Sequence, residues 1–337
     1  MRAFVISGPG QGEVREVEPP RAEPGLVVVE VDRVGLCGTD EELFSGGMSY
    51  LETAEAAYPV RPGHEWAGRV VEIGEGVDAS WMDARVTGDT MLGDGTCHLC
   101  RSGRQHLCEN RYEIGLRRGW PGALAERLPV PERALLRLPD VMDPQLGALV
   151  EPSGNAVRAL RAAGVRSGER LLVFGPGTIG LLVALFARAD GVEVHLVGRS
   201  ERSRAFATSL GFEHVLTDDT IPGLRYDGAV DASSAPQLPA RAIELVDPGR
   251  RVSLIGIAGE PSVADTQAII FRELTVVGVL SASGGLEEAI ERLASGTQDP
   301  RPLVAATVGL DEVAAVLGGR RDPAWGPGPK IHVDPRR

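Results

Sequence analysis

Cysteine, histidine and carboxylate side chains occur in two groups in the first half of the chain. Cys37 lies in Gly35-Leu36-Cys37-Gly38-Thr39-Asp40, directly after an apolar run. His64 and Glu65 lie in Gly63-His64-Glu65-Trp66-Ala67-Gly68, and Glu151-Pro152 closes the region. These are the ligand types of Zn²⁺, and three protein ligands with one open position define a catalytic zinc site. The pieces are far apart in sequence, so plainer roles stay open: Cys37 as a small core residue, His64 as a loop histidine, Glu65 as a surface charge.

The second group is Cys97-x-x-Cys100 on a Gly-rich loop with Cys108 downstream. That spacing suits a structural metal knuckle. Asp94, three residues before Cys97, would supply the fourth ligand as an oxygen; His98 and His106 are placed less well. A reduced, metal-free loop is the alternative.

A third motif serves a different chemistry. The apolar run Leu171 to Phe174 leads into Gly175-Pro176-Gly177-Thr178-Ile179-Gly180, then into an apolar stretch to Ala187. A second apolar run, Val192 to Val197, ends in Gly198-Arg199. Strand, Gly-rich turn, helix and strand make a βαβ unit, and Gly175, Gly177 and Gly180 match G-x-G-x-x-G in the context that motif requires. The turn brings backbone close to a pyrophosphate seated on the helix N-terminus, where free N–H groups and the helix dipole favour negative charge. The alternative is an ordinary Gly-rich turn in a buried parallel sheet.

The elements that must position these residues divide the chain in two. The first 153 residues read as β-rich, with strand-like runs at Val27–Val31, Arg69–Ile73 and Leu124–Val130 broken by Gly and Pro. From about Ala156 helices alternate with strands at Leu171–Phe174, Val192–Val197, His214–Leu216, Gly228–Asp231, Arg251–Ile255 and Leu274–Val279. That alternation predicts a doubly wound parallel sheet. After Gly285 a helix over Leu286–Ala294 leads into a Pro-rich tail with a helix at Leu310–Leu317 and a strand at Lys330–Val333. The expected boundaries are 1–153 completed by 286–337, and 154–285.

Composition excludes several classes. The 337 residues are 43% apolar and 24% charged, as in ordinary globular proteins. A net charge of −12 argues against nucleic acid or an anionic membrane as partner. The N-terminal apolar run is too short for a signal peptide, and the longest uncharged stretch is broken by the Gly-rich turn. Four cysteines in such a chain suggest metal or catalysis before disulfides, and the expected location is the cytoplasm. Basic character is almost all arginine, and Lys330 is the only lysine.

Taken together and in this order, the motifs resemble the zinc-dependent medium-chain dehydrogenase/reductase superfamily, the alcohol dehydrogenase-like enzymes. The resemblance covers nearly the whole chain and implies an α/β architecture: a β-rich GroES-like catalytic domain plus a Rossmann cofactor domain. By that pattern Cys37, His64 and either Glu65 or Glu151 hold catalytic zinc. Glu151 stands where the prototype alcohol dehydrogenases have a cysteine, as in the sugar and polyol branches. Asp94, Cys97, Cys100 and Cys108 match the structural-zinc lobe with an aspartate at its first position.

A finer match is to the microbial glucose dehydrogenase branch, through Cys37-Gly38-Thr39-Asp40-x-Glu42 and Glu113-Ile114-Gly115-Leu116. It implies that Glu113 and Asn155 hydrogen-bond the hydroxyls of a polyhydroxylated substrate. Ser281 departs from that branch, which has an asparagine at about this place. The implied reaction is reversible oxidation of a secondary alcohol, or of a sugar's anomeric hydroxyl, to a carbonyl. Zinc supplies Lewis acidity and the nicotinamide takes the hydride. Thr39 would pass on the proton; Glu42 replaces the relay histidine of the prototype enzymes.

The second strand's end speaks to the nicotinamide. NAD sites carry an acidic residue there for the ribose 2′-OH, and NADP sites replace it and add arginine. Here the position is Gly198, followed by Arg199-Ser200 with Arg202 and Arg204 beyond. NADP(H) is therefore expected over NAD(H), because guanidinium forks suit a phosphate. Gly175, Gly177, Thr178, Ile179, Gly180, Gly198, Arg199, Ser200 and Arg204 form the expected cofactor set. A homodimer or homotetramer is implied by the resemblance, through the edge strand Leu274–Val279. The rivals are a biosynthetic dehydrogenase acting on a non-sugar alcohol or ketone, a zinc-free reductase of the same superfamily, and a non-catalytic NADPH-binding protein.

Overall fold

A computed structural model describes residues 1–337. The chain forms two compact units, Met1–Glu151 with Arg301–Gly326 and Lys330–Arg337, and Pro152–Pro300 with Pro327–Pro329.

The first unit is built on one long strand, Leu26–Leu36, whose apolar residues Val27, Val28, Val29, Val31 and Val34 are fully buried. It pairs antiparallel with Glu65–Ile73, with Arg127–Pro131 and with the C-terminal strand Lys330–Val333. The register sets Gly35 opposite Glu65 on one side, and Leu36 opposite Ile331 on the other. The end of this strand therefore brings Cys37, the His64-Glu65 pair and Lys330 to one edge, although they are nearly 300 residues apart in sequence. Arg85–Gly88, Leu135–Arg137 and Val304–Val308 complete the seven-stranded sheet. A separate hairpin, Arg2–Gly8 with Gln11–Glu16, carries buried Phe4 and Ile6 into the same core.

The second unit is a six-stranded parallel sheet in the order His214–Leu216, Glu193–Val197, Arg170–Phe174, Tyr226–Asp231, Val246–Leu254, Thr275–Gly278. This 3-2-1-4-5-6 order is that of the Rossmann fold. Leu171 to Phe174 are wholly buried, as a central strand covered on both faces requires. The helix Thr178–Ala189 buries every residue from Gly180 to Ala187.

The helix Leu286–Ala294 packs within the second unit, not with the first as its sequence position suggested. It buries Leu286, Ala289, Ile290 and Leu293, and Arg292 donates to both oxygens of Asp190 at 2.9 and 3.0 Å. The tail returns to the first unit only from Arg301 onward. The helix foreseen at Leu310–Leu317 is a 3₁₀ turn, Leu310–Glu312, running into a short helix, Val313–Leu317. No helix is long and apolar enough to cross a membrane.

Candidate active site

Cys37 ends the long strand and caps the helix Gly38–Ser45. Asp40, in the first turn of that helix and wholly buried, reaches back: its Oδ2 accepts from the Cys37 N–H at 3.0 Å, and its Oδ1 accepts from the Gly63 N–H at 3.2 Å. One carboxylate thus ties the cysteine loop to the histidine loop. Cys37 Sγ lies 3.3 Å from His64 Nε2. Ligands at about 2.3 Å (sulfur) and 2.0 Å (nitrogen) on a tetrahedral ion are separated by roughly 3.5 Å. The pair is therefore already at the spacing that zinc imposes. Burial holds the Cys37 thiol above its ordinary range, so the sulfur keeps its proton until a cation takes its place.

Glu65 completes a group whose ligand atoms all lie within 4.8 Å of one another. Its carboxylate rests over Gly35, where an added Cβ would stand 2.0 Å from Glu65 Oε2. Only glycine leaves room for it. Both Glu65 oxygens also accept from Lys330 Nζ at 2.7 Å, and the same ammonium donates to Leu36 O at 2.8 Å. Burial would lower the Lys330 ammonium, but the neighbouring Glu65 outweighs it and the group stays charged. Glu151 is 7% exposed and near enough for its charge to act on His64, though it lies outside that 4.8 Å group. Thr39 is half-buried on the helix that Cys37 caps; Glu42, one turn on, is exposed.

In the second cluster the Cys97, Cys100 and Cys108 sulfurs and an Asp94 oxygen lie within 4.8 Å of one another. No disulfide joins them. Asp94 Oδ1 accepts from the N–H groups of Thr96 and Cys97 at 2.8 and 3.0 Å, and these bonds hold its carboxyl far below the usual range. Burial, more than its thiol neighbours, pushes Cys100 up to about 12. The donor set of three cysteine sulfurs and one carboxylate fits zinc.

Glu113 is 2% exposed, and its Oε1 accepts from Arg111 Nε at 2.7 Å and from the Tyr50 hydroxyl at 3.0 Å. Glu113, the substrate contact that the resemblance implies, is therefore a paired charge. The same segment touches the histidine loop: a Cβ at Gly115 would stand 2.9 Å from Gly63 O. Asn155 is half-buried on the helix Val150–Ala163, in the second unit.

The nucleotide turn has the geometry its glycines promise. Gly175 adopts φ 87°, and a Cβ on Gly180 would stand 2.0 Å from Gly175 O. The helix Thr178–Ala189 begins at Gly177 with no side chain capping it, so its first N–H groups are open to an anion. At the end of the next strand Gly198 is buried against Pro176, whose Cγ would stand 2.7 Å from an added Cβ. An acidic side chain has no room there. Arg204 donates to the carbonyls of Gly198 and Arg199, which fixes that corner, while Arg199 and Ser200 are exposed.

Residues 23–140 match the alcohol dehydrogenase GroES-like domain, and residues 178–295 match the zinc-binding dehydrogenase domain. L-threonine 3-dehydrogenase of Pyrococcus horikoshii is 33% identical over 83% of this chain and 82% of its own. The chain belongs to the zinc-dependent medium-chain dehydrogenases. Among solved structures, a putative zinc-binding dehydrogenase of Sinorhizobium meliloti bound to NADP is 29% identical, covers 99% of both chains and superposes with a TM-score of 0.89. Galactitol-1-phosphate dehydrogenase of Escherichia coli is 25% identical over 99% of this chain and 100% of its own, with a TM-score of 0.86.

As a medium-chain dehydrogenase the protein is an oxidoreductase acting on CH–OH groups with zinc and a nicotinamide. Sequence reasoning found Cys37, His64 and Glu65 but missed the groups that hold them. Asp40 was visible as the last residue of the Cys-Gly-Thr-Asp motif, and Lys330 as the only lysine. Tyr50 and Arg111 gave no signal in the sequence.

Proposed function

We propose that this dehydrogenase is NADP-preferring and oxidises a secondary hydroxyl of a small polyhydroxylated compound, a sugar, polyol or cyclitol, or runs the reverse reduction. The class rests on one observation, the part-buried Cys37 Sγ–His64 Nε2 pair at 3.3 Å. Cys37, His64 and either Glu65 or Glu151 would hold the metal, and its chemistry there would be Lewis-acid activation of the substrate's hydroxyl oxygen. Thr39, two residues beyond Cys37 and half-buried, would accept the hydroxyl proton. Glu42 lies exposed one helical turn further on and offers an exit for that proton.

The choice of NADP is supported by Gly198, which admits no carboxylate, and by the exposed Arg199 beside it. The polyhydroxylated substrate is supported by the Tyr50–Glu113–Arg111 array, whose segment packs against Gly63. Such an array offers both donors and acceptors to substrate hydroxyls, with Asn155 as the further polar contact that the sugar branch implies. A second reading follows from the relative named for L-threonine: a non-sugar secondary alcohol, such as a hydroxy amino acid. A rate panel of aldoses, polyols, cyclitols, L-threonine and simple secondary alcohols, run with NADP and with NAD, separates these readings. Faster turnover of L-threonine than of every polyol would overturn the first.

For assembly, a homo-oligomer formed through the edge strand Thr275–Gly278 is supported by the exposed Ile270 and Phe271 just before it, at 69% and 82%. Light scattering on Phe271→Asp tests it, with a monomer expected. The cytoplasm is the compartment in which reduced Cys97, Cys100 and Cys108 would persist as metal ligands.

A further inference from the structure

Two of the chain's six histidines meet in the parallel sheet of the second unit. His195 and His214 are direct partners in the pairing of Glu193–Val197 with His214–Leu216, so their rings leave the same face. The ring centroids are 4.3 Å apart and the planes 31° from parallel. Glu193, two residues before His195, shares that face. Its Oε1 lies 2.9 Å from His195 Nε2 and 3.9 Å from His214 Nε2, and the three ligand atoms fall within 4.8 Å of one another. Ligands at about 2.0–2.1 Å on a tetrahedral zinc stand roughly 3.4 Å apart. One distance is slightly under that value and the other slightly over. His195 is 2% exposed and fixed, whereas the half-exposed His214 and Glu193 can adjust. Hydrogen bonds to Glu193 and Tyr226 account for His195 without a metal, but the His214 ring makes none within the chain.

We propose that Glu193, His195 and His214 form a reversible site for a divalent cation of the zinc type, which fastens the edge strand His214–Leu216 to its neighbour. Two imidazoles and a carboxylate are a donor set that Zn²⁺ accepts, with water in the fourth place. Tyr226 lets His195 change role. Without a metal, Nε2–H donates to Glu193 and Nδ1 accepts from the Tyr226 hydroxyl at 3.0 Å. With the metal on Nε2, the ring proton sits on Nδ1 and the hydroxyl oxygen accepts it, so no proton is lost. Arg170 donates to both Glu193 oxygens, at 2.7 and 2.9 Å. The ion therefore shares its carboxylate with a guanidinium, is held loosely and leaves on desalting. What it fastens is a strand of three residues, hydrogen-bonded on one side only. The last of these, Leu216, accepts the Gly198 N–H at 2.9 Å and so supports the nucleotide corner.

The test uses the full-length, tag-free enzyme, loaded with zinc and then desalted. Calorimetric titration with zinc chloride should show one further ion per chain. In His214→Ala its affinity should fall at least about tenfold, since losing a ligand costs no less than losing a group that orients one. The 46% exposure of the His214 side chain lets that variant fold. Saturating zinc should raise the melting temperature of the wild type and leave that of His214→Ala unchanged, because the ion binds the folded site alone. In spectra of ¹⁵N-histidine-labelled enzyme, His195 should pass from the Nε2-protonated to the Nδ1-protonated ring as zinc is added. A wild type that takes up no further ion, equal affinity in His214→Ala, or an equal rise in melting temperature in both proteins would overturn the proposal. So would a His195 Nε2 that keeps its proton at saturating zinc.

Discussion

Asp40 Oδ2 accepts the backbone N–H of Cys37 at 3.0 Å, so the residue that ends the central strand is held by the first turn of the helix it caps. The other Asp40 oxygen accepts from Gly63 N–H, and the two loops of the metal site share one buried anchor. Asp40→Ala leaves two backbone donors unpaired, at about 1–3 kcal/mol each where they are buried. The expected result is a zinc affinity lower by roughly 10–100-fold, the range for groups that orient metal ligands. Chelator competition on the folded variant measures it; unchanged affinity would show that the loops hold themselves.

The lobe around Cys97 should carry its own ion. Elemental analysis is expected to find two zinc ions per chain in the wild type and one in Asp94→Ala, with Asp94→Cys restoring the second. The four donor atoms already lie within 4.8 Å of one another, so the wild-type lobe needs little rearrangement to bind. One zinc in the wild type would refute the lobe as a metal site.

Arg199 is expected to bind the 2′-phosphate. Arg199→Ala removes a charge-assisted contact worth about 1.5–3 kcal/mol, which is roughly a 10–100-fold rise in KM for NADP. The KM for NAD should stay within about twofold, since no phosphate is lost there. Equal effects on both cofactors would mean that Arg199 only shapes the corner that Arg204 fixes.

Acid stability should depend on Glu193. Arg170 donates to both its oxygens at 2.7 and 2.9 Å, His195 adds a bond at 2.9 Å, and the carboxyl is drawn down to about 2. A depressed carboxyl stabilises the fold at neutral pH, and that contribution fades as pH falls from about 4.5 through about 2. His195 acts in the same direction: burial lowers it, so its protonation below the ordinary histidine range opposes folding. Glu193 is 39% exposed, which limits its worth to about 1 kcal/mol. Glu193→Gln should melt about 2–4 °C lower at pH 7. The gap should narrow as pH falls below about 4.5 and close only near pH 2, and a constant gap would contradict the assignment.

How much of this was legible in the sequence follows from where each interaction is encoded. The nucleotide turn is local: Gly175, Gly177 and Gly180 must be glycine for reasons contained in six residues, so the pattern reads directly. The helix Val150–Ala163 begins ahead of the alternation that reads from about Ala156, because Pro152 and Gly154 disguise its start, although Pro is tolerated in a first turn. The partners of the metal site are set by strand register across the whole chain, and Lys330 meets Glu65 only because Ile331 pairs with Leu36. The sequence shows Glu113 but not its partners, because only the fold brings Tyr50 and Arg111 against it. The helix Leu286–Ala294 shows its apolar face in the sequence, but not which unit that face covers.

The central claim is that Cys37 and His64 hold a metal on which alcohol oxidation depends. The most direct measurement is NADPH formation by the full-length enzyme across the alcohol panel in three states: zinc-loaded, chelator-stripped and zinc-restored. The account predicts turnover of at least one polyhydroxylated secondary alcohol in the first state, loss in the second and recovery in the third, with Cys37→Ser inactive throughout. Turnover that survives stripping, or full activity in Cys37→Ser, would contradict it.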